Sequence, residues 1–273
     1  GMHTDPQRPR IRRPPPGPDP RIGTILDGRY RIVAALAAGG MGVVYRGERL
    51  GLGRPVAIKF LHAAAAATRE LRRRFEIEAR AASRLQHPNC VAVIDYGLDG
   101  AAPYLVMEYV AGRTLAALLE DGPLAIPRAL ALADQILAGL AHAHAHGIVH
   151  RDIKPENIMV TREGEEWRAK LMDFGIALGP KDSRMTKSDI IVGTLAYLPP
   201  ESILDSSSSP AADIYSLGVV LFEAMSGKLP FSGDTQTVLY KIVHSEPEPP
   251  GLLASLVDIE TENIVLACMA KAA

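Results

Sequence analysis

The chain has 273 residues, of which 47% are hydrophobic and 22% are charged, so it is long and apolar enough to bury the core of one large or two small domains. Its formal net charge of -1 gives no support for broad binding to nucleic acid or to an anionic membrane. The two cysteines, Cys90 and Cys268, lie far apart in apolar segments, which favours free thiols in a reducing compartment over a disulfide.

Residues 1–29 are predicted to form a disordered tail ahead of the first domain. Proline and arginine dominate residues 1–21, a composition typical of extended, polyproline-like chain. The same composition leaves open a role as ligand for a proline-binding domain.

Alternation of apolar and polar residues predicts a strand-rich first half that begins near Tyr30. Strands are expected over residues 30–36, 43–49, 56–61, 91–96 and 104–109. One helix is expected among them, over residues 69–85, because its apolar residues recur on one stripe.

After Gly112 the pattern becomes helical. Helices are expected over residues 127–146, 213–226, 235–244 and 256–271, with a hairpin over residues 158–172. The helix over residues 213–226 is apolar on nearly all sides, which is typical of a helix buried on every face. Strands followed by helices indicate an α+β protein with two lobes, over residues 30–110 and 111–273.

We expect a cytoplasmic protein, or the cytoplasmic part of a larger one, without a membrane segment in this chain. The N-terminus shows no apolar stretch of the kind found in signal peptides. The longest apolar run, over residues 129–149, is broken by Asp134, Gln135 and several histidines.

Candidate chemistry is concentrated in residues 150–157, His-Arg-Asp-Ile-Lys-Pro-Glu-Asn, and in Asp173-Phe174-Gly175. One carboxylate, Asp152, and one amide, Asn157, thus share a loop, and a second carboxylate, Asp173, follows a short hairpin. Phosphoryl transfer needs an acid that orients a hydroxyl nucleophile and oxygen ligands that hold Mg²⁺ between the phosphates.

These segments match the patterns H-R-D-x-x-x-x-N and D-F-G, so the chain resembles a eukaryotic-like protein kinase from about Tyr30 to its last residue. Residues 39–42 and 146–149 are similar in particular to those of bacterial Hanks-type serine/threonine kinases. The resemblance implies the bilobal protein-kinase fold, ATP and Mg²⁺ as cofactors, and transfer of the γ-phosphoryl group to Ser or Thr hydroxyls of a protein substrate.

The resemblance also implies roles for single residues of the catalytic loop. Asp152 would orient the substrate hydroxyl and accept its proton, and Lys154 would stabilise the transferring phosphoryl group. Asn157 and Asp173 would bind the metal. Thr194 would hydrogen-bond to Asp152 and Lys154.

Phosphate binding is predicted for a glycine-rich turn between two strands. Gly39, Gly40 and Gly42 would let backbone N–H groups approach phosphate oxygens, although a plain hairpin turn explains these glycines equally well. The first glycine of the kinase pattern is Ala37 here, a departure that concerns loop flexibility and nucleotide affinity.

Lys59 lies in the run Val56-Ala57-Ile58-Lys59, which resembles the V-A-I-K strand of kinases. A lysine on an apolar strand needs a counter-charge unless it reaches solvent. Glu78 falls on the apolar stripe of the predicted helix and would be that partner, the pair bracing the α- and β-phosphates. A structural surface pair is the alternative.

Adenine binding is assigned by the resemblance to residues 107–110, as the hinge between the lobes. Met107 would be the gatekeeper, and the Glu108 carbonyl and the Val110 amide would bind the adenine edge. The ring would be sandwiched by Val44, Ala57 and Met159. Each of these apolar residues is explained equally well as part of the core.

Regulation is predicted for the activation segment, residues 173–201. Arg151 precedes the catalytic aspartate, where a cation binds a phosphorylated residue and orders the segment. Thr186 and Ser188 are the expected sites of that phosphorylation. Where the family has Ala-Pro-Glu, the segment ends in Pro199-Pro200-Glu201.

Three further expectations follow. Asp213 is either a plain helix N-cap or, by resemblance, the residue that holds the backbone of the His150-Arg151 turn. In the family the counterpart of Glu201 pairs with an arginine beyond the last helix, so the kinase domain is expected to continue past Ala273. Related bacterial kinases dimerise through the strand-rich lobe, which leaves a homodimer open.

Two alternative functions stay open at this point. A pseudokinase scaffold is supported only by Ala37 and Pro199, and the retention of the residues assigned to catalysis opposes it. A small-molecule phosphotransferase is opposed by the long activation segment. Metal binding by the histidines between His142 and His150 is disfavoured, because on a helix only residues three or four apart meet.

Overall fold

The computed structural model describes residues 17–39, 42–174, 195–204, 209–247 and 259–270. Within these ranges a strand-rich N-terminal lobe precedes a mostly helical C-terminal lobe, so the predicted bilobal α+β architecture is confirmed. No described helix combines the length and the apolar character that crossing a membrane requires.

Six antiparallel strands form the sheet of the N-terminal lobe, in the spatial order β1-β2-β3-β4-β6-β5. They are β1 (Ile25–Leu26), β2 (Tyr30–Gly39), β3 (Gly42–Arg49), β4 (Arg54–Phe60), β5 (Val93–Asp99) and β6 (Ala102–Glu108). Alternate residues of these strands point to one face, where they bury a cluster of aromatic and branched side chains.

Helix α1 (Arg69–Ser83) packs on the opposite face of the sheet. The Thr68 hydroxyl caps its first turn by accepting a hydrogen bond from Leu71 N at 3.1 Å. Phe75 is buried in one cluster with Leu105 of β6. The residues on either side of Leu105 point to the other face of the sheet. The sheet is therefore covered on this side by the one main helix that the sequence predicts.

The C-terminal lobe is built mainly from helices. They include α2 (Leu115–Leu119), α3 (Ile126–Ala145), α4 (Pro200–Leu204), α5 (Pro210–Ser226), α6 (Thr235–His244) and α7 (Ile259–Cys268). A small sheet, formed by β7 (Arg113–Thr114), β8 (Ile158–Glu163) and β9 (Glu166–Leu171), packs against α3.

Helix α5 is buried on nearly every side, as the sequence predicts. Residues 215–222 are all buried, and the helix ends at Gly227, whose φ of 75° favours glycine. A Cβ added at Gly218 would lie 2.9 Å from the Cβ of Cys268, so α7 packs directly on the backbone of α5. The helix is thus the centre of the C-terminal core and a rigid base for the loops around it.

Residues 17–29, here called the N-terminal strap, contain β1, and their side chains reach the aromatic face of the sheet. Asp19 accepts a hydrogen bond from Tyr45 Oη at 2.5 Å, and Asp27 accepts one from Tyr104 Oη. Burial, reinforced by the aspartate, raises the pKa of each tyrosine, so both hydroxyls stay protonated and donate at neutral pH. The strap therefore provides acceptors for hydroxyls of the buried cluster.

Further contacts fix the strap in place. The Arg21 guanidinium lies 3.9 Å from the centre of the Phe60 ring, and Gly23 N donates to Ile32 O at 2.8 Å. Structure thus begins before Tyr30, and the predicted tail of residues 1–29 is too long. Composition could not reveal this, because the aspartate–tyrosine pairs join residues that are far apart in sequence.

Deleting residues 1–24 is expected to lower the melting temperature by several degrees relative to deleting residues 1–16. The longer deletion uncovers apolar surface of the sheet, at about 25 cal/mol for each Å² exposed. Thermal unfolding followed by circular dichroism measures the difference. The shorter deletion is the matched control, and equal melting temperatures would show that the strap adds nothing to the stability of the lobe.

Candidate active site

The catalytic loop is anchored by Asp213, in the first turn of α5. This side chain is 1% exposed, and its two oxygens accept hydrogen bonds from His150 N at 2.8 Å and Arg151 N at 2.9 Å. His144 Nε2 lies 2.7 Å from the same carboxylate. Because the N-cap of α5 is Ser209, Asp213 acts as the anchor of the turn, one of its two predicted roles.

The backbone of the site adopts an uncommon conformation at two residues. Arg151 has a φ of 74° and Asp173 has a φ of 59°, both in the left-handed region that side chains disfavour. Such conformations cost on the order of 1–3 kcal/mol each and persist only where surrounding contacts fix them. At Arg151 the fixing contact is the hydrogen bond to Asp213.

His150 connects the catalytic loop to the chain before Asp173. Its buried ring donates from Nε2 to Met172 O at 2.8 Å, and Asp152 N donates to its Nδ1 at 3.1 Å. Because a carbonyl can only accept, these partners fit a neutral ring with the proton on Nε2. The Phe174 ring lies 4.6 Å from the imidazole, so one histidine contacts both segments that carry the predicted acids.

Three of the residues predicted for catalysis and metal binding lie together on the loop. Asn157 Nδ2 donates to Asp152 O at 2.8 Å and to Asp152 Oδ2 at 3.1 Å. Lys154 Nζ lies 3.4 Å from the same carboxylate oxygen. An amide and a cation therefore hold the Asp152 carboxylate in one orientation, as the positioning of a hydroxyl nucleophile requires.

Lys59 forms an ion pair with Asp173, whereas the sequence predicts Glu78 as its partner. Lys59 Nζ lies 3.1 Å from Asp173 Oδ1, and the two side chains are 10% and 22% exposed. Glu78 forms an ion pair at 3.0 Å with Arg74, one turn earlier on α1. Arg74 thus competes with Lys59 for the carboxylate of Glu78. Asp173 thus provides the counter-charge that a buried lysine needs.

Gly42, the last residue of the predicted glycine-rich turn, lies directly against the strand of Lys59. Gly39 and Gly42 are register partners at the end of the β2–β3 pair. Gly42 has a φ of 137°, and a Cβ there would lie 2.0 Å from Phe60 O, so only glycine fits. The intervening Gly40 lies outside the described residues.

The residues assigned to adenine binding lie on strands β3, β4, β6 and β8 or, for Val110, just after β6: Val44, Ala57, Met107, Glu108, Val110 and Met159. Ala57 of β4 is the register partner of Met107, and β6 ends at Glu108. Met159 belongs to β8 of the other lobe. Val44, Ala57, Val110 and Met159 are partly exposed, which suits the lining of a cleft better than a closed core.

The remaining predicted residues belong to the activation segment or adjoin it. Thr186, Ser188 and Thr194 lie outside the described residues. Arg151 is described, and its side chain is exposed next to the catalytic loop. The phosphorylation of this segment therefore stays a prediction.

His144 is a functional residue that the sequence analysis missed. It follows Ile136 and Leu140 at intervals of four on the buried stripe of α3. A polar residue on such a stripe needs a partner, and this signal could have linked His144 to a buried acid. The spacing of two between neighbouring histidines of α3 does not by itself reveal this partner.

The other histidines of α3 contact each other. His142 and His146 are four residues apart, with ring centres at 4.5 Å, and His87 lies 5.1 Å from His142. Partial burial, with the neighbouring imidazoles, lowers the pKa of His142, so this ring favours the neutral state. In the described ranges, no group of three or more His, Cys, Asp or Glu side chains is arranged to hold a metal ion.

A partly buried acid, Glu223, lies on α5. Glu223 accepts a hydrogen bond from Tyr197 Oη at 2.5 Å. Burial raises the pKa of Glu223, the tyrosine opposes this, and nearby Glu156 adds to it. The pair fixes the end of the activation segment to the central helix.

The donor set fits Mg²⁺. Mg²⁺ prefers oxygen ligands and is usually held by one or two carboxylates together with substrate phosphates, and keeps several waters. Asp173 supplies a carboxylate, and Asn157 supplies an amide oxygen. A cage of three acidic side chains is not needed for an ion that the phosphates help to bind.

The comparison with protein families identifies the chain. The family described as protein kinase domain matches residues 30–262. This chain belongs to the protein kinase domain family. The match begins after the N-terminal strap and contains both the Lys59–Asp173 pair and the catalytic loop.

Among the relatives of this kinase domain are bacterial enzymes. It is 44% identical over 218 residues to the serine/threonine-protein kinase PknL of Mycobacterium bovis, covering 80% of this chain and 54% of the relative. It is 43% identical to PknA of Mycobacterium tuberculosis over 238 residues (85% and 54%) and 40% identical to PrkC of Bacillus subtilis over 253 residues (92% and 38%). The kinase domain therefore spans about half, or less, of the length of these relatives.

Solved structures agree with this assignment. The PknI kinase domain of Mycobacterium tuberculosis is similar with a TM-score of 0.70 at 27% identity, covering 92% of this chain and 90% of that one. Rad53 in complex with AMP-PNP is similar with a TM-score of 0.73 at 25% identity, covering 89% and 60%. The resemblance to bacterial Hanks-type serine/threonine kinases is thus confirmed.

Replacing the anchor by Asp213→Ala is expected to lower the free energy of unfolding by about 3–5 kcal/mol, because buried donors lose their acceptor. Asp213→Asn keeps one acceptor oxygen and should lie in between. Urea denaturation measures both. Asp134→Ala, at an exposed site on α3, is the control, and equal stability of the two alanine variants would contradict the role of Asp213.

Proposed function

We propose that this chain is the catalytic domain of a protein-serine/threonine kinase, which transfers the γ-phosphoryl group of ATP to Ser or Thr hydroxyls of proteins. One observation carries the proposal. The Lys59–Asp173 ion pair and the cluster of Asp152 with Lys154 and Asn157 are linked through His150, which supports one site for the groups that would bind phosphates, metal and hydroxyl. The kinase names of the relatives support it.

In the proposed reaction the substrate hydroxyl oxygen bonds to the γ-phosphorus as the bond to the bridging oxygen of ADP breaks. The hydroxyl proton passes to the Asp152 carboxylate, whose orientation Asn157 fixes in advance. Lys154 places a positive charge where negative charge spreads over the transferring group. Positioning and electrostatic stabilisation thus carry the catalysis.

The proposed cofactors are ATP and Mg²⁺. The turn at Gly39–Gly42 and the ammonium of Lys59 would hold the phosphates, and the hinge after Met107 would hold adenine. Asn157 and Asp173 would bind Mg²⁺, which neutralises charge between the phosphates. AMP-PNP in the similar Rad53 structure supports an adenine nucleotide as ligand.

The alternatives are less well supported. A pseudokinase scaffold is not favoured, because the relatives are named as kinases and Lys59, Asp152 and Asp173 are all retained. A small-molecule phosphotransferase gains no support from those names. A homodimer through the N-terminal lobe and a cytoplasmic location stay predictions of the sequence analysis.

Asp152→Asn is expected to reduce kcat by about 10²- to 10⁴-fold, the usual contribution of a positioned acid or base. Calorimetry should find its nucleotide affinity nearly unchanged. Transfer from labelled ATP to a generic basic protein measures the rate, and Asp99→Asn, at the exposed end of β5, is the matched control. Near-normal turnover of Asp152→Asn would refute the assignment of the catalytic loop.

Incubation with ATP and Mg²⁺ is expected to place phosphate on Thr186, Ser188 or both. The exposed Arg151 motivates this, since a phosphate there would gain charge-assisted hydrogen bonds. Peptide mass spectrometry locates the phosphate, with Asp152→Asn protein as the unmodified control. An active protein that carries no phosphate within residues 185–189 would exclude this form of regulation.

A further inference from the structure

The side chain of Glu108 has contacts that the proposed function does not use. Its Oε1 accepts a hydrogen bond from Ala92 N at 2.9 Å, and Glu108 N donates to Ala92 O at 2.9 Å. Lys170 Nζ donates to both carboxylate oxygens, at 3.0 and 3.2 Å. The last residue of β6 is thus joined to the segment before β5 and, across the lobe boundary, to β9.

Lys170 lies three residues before Asp173, on the strand that leads to the metal-binding acid. The backbone around it is held at the same place, since Leu171 N donates to Asn89 O and Val91 N donates to Leu171 O, each at 2.8 Å. The Lys170 and Glu108 side chains are 25% and 32% exposed. Partial burial gives the ion pair more weight than a fully solvated one.

We propose that Glu108 and Lys170 are positioning residues that hold the hinge and the Asp173 segment at a fixed separation before the nucleotide binds. The inference rests on the proposed function, because it takes the hinge as the adenine site and Asp173 as the metal ligand. ATP with Mg²⁺ must contact both ends at once. A site whose ends are fixed in advance loses less conformational freedom on binding, so the nucleotide binds more tightly.

This role makes a distinctive prediction about ligands of different length. Adenosine reaches the hinge but has no phosphates to engage the metal and Asp173. Breaking the ion pair should therefore weaken the binding of MgATP, or of its non-hydrolysable analogue, by about 3- to 5-fold, the upper part of the range for a partly exposed pair. Adenosine affinity should change by less than about 2-fold.

The variants are Lys170→Met and Glu108→Gln, the latter keeping an acceptor for Ala92 N. Arg168→Met is the matched control, because it removes a cation from the same strand whose partners, Glu163 and Glu166, lie within the β8–β9 hairpin. Lys170→Arg keeps the charge and should restore most of the affinity. Calorimetry of each purified chain with the MgATP analogue and with adenosine gives the dissociation constants.

The proposal is supported if both variants weaken the analogue selectively and the double variant is no weaker than either single one, since both then break the same contact. Equal losses for adenosine and the analogue would show a general structural role and overturn it, as would affinities that match those of Arg168→Met. Wild-type protein that binds the analogue but transfers no phosphate would refute the proposed function alone. Wild-type protein that binds neither ligand would refute both.

Discussion

The catalytic loop depends on the hydrogen bonds that the Asp213 carboxylate accepts. A charge in a protein interior is tolerated only when donors satisfy its oxygens, and here two consecutive backbone amides and His144 do so. The same carboxylate fixes the turn at Arg151, whose left-handed conformation needs such a contact to persist. The packing of α5 on all sides fixes where the carboxylate lies, so the core of the lobe determines where the loop can be.

The strand before Asp173, β9, is also held by hydrogen bonds. One edge of β9 pairs with β8, and side-chain amides bind the other. Gln135 accepts from Ala169 N at 2.8 Å and donates to Trp167 O at 2.9 Å, and Asn89 donates to Ala169 O at 2.9 Å. An edge strand exposes backbone groups that must find partners, and here residues from α3 and from the segment before β5 meet that need. The acid at its end is therefore placed by contacts from both lobes.

What the sequence could predict follows from the range of the interactions concerned. The burial of α5 can be predicted from its own apolar residues. The catalytic loop can be predicted from a motif of eight consecutive residues. The partner of Lys59 was not predictable in this way, because Glu78 and Asp173 both satisfy the need for a counter-charge and tertiary packing decides between them. The position of the strap could not be predicted, because Asp19 and Tyr45 are 26 residues apart and local sequence patterns do not detect contacts over that separation.

Trp167 is the only tryptophan of the chain, and it lies on β9 close to two guanidinium groups. Arg128 of α3 and Arg162 of β8 lie 4.1 and 4.3 Å from its ring centre, a geometry that favours cation–π attraction on the indole. Since an indole dominates near-ultraviolet emission and responds to nearby charges, the intrinsic fluorescence of this protein originates from one known position, six residues before Asp173. Any displacement of that strand relative to α3 changes the distance between the indole and Arg128, so the fluorescence of Trp167 reports on the segment that ends in Asp173.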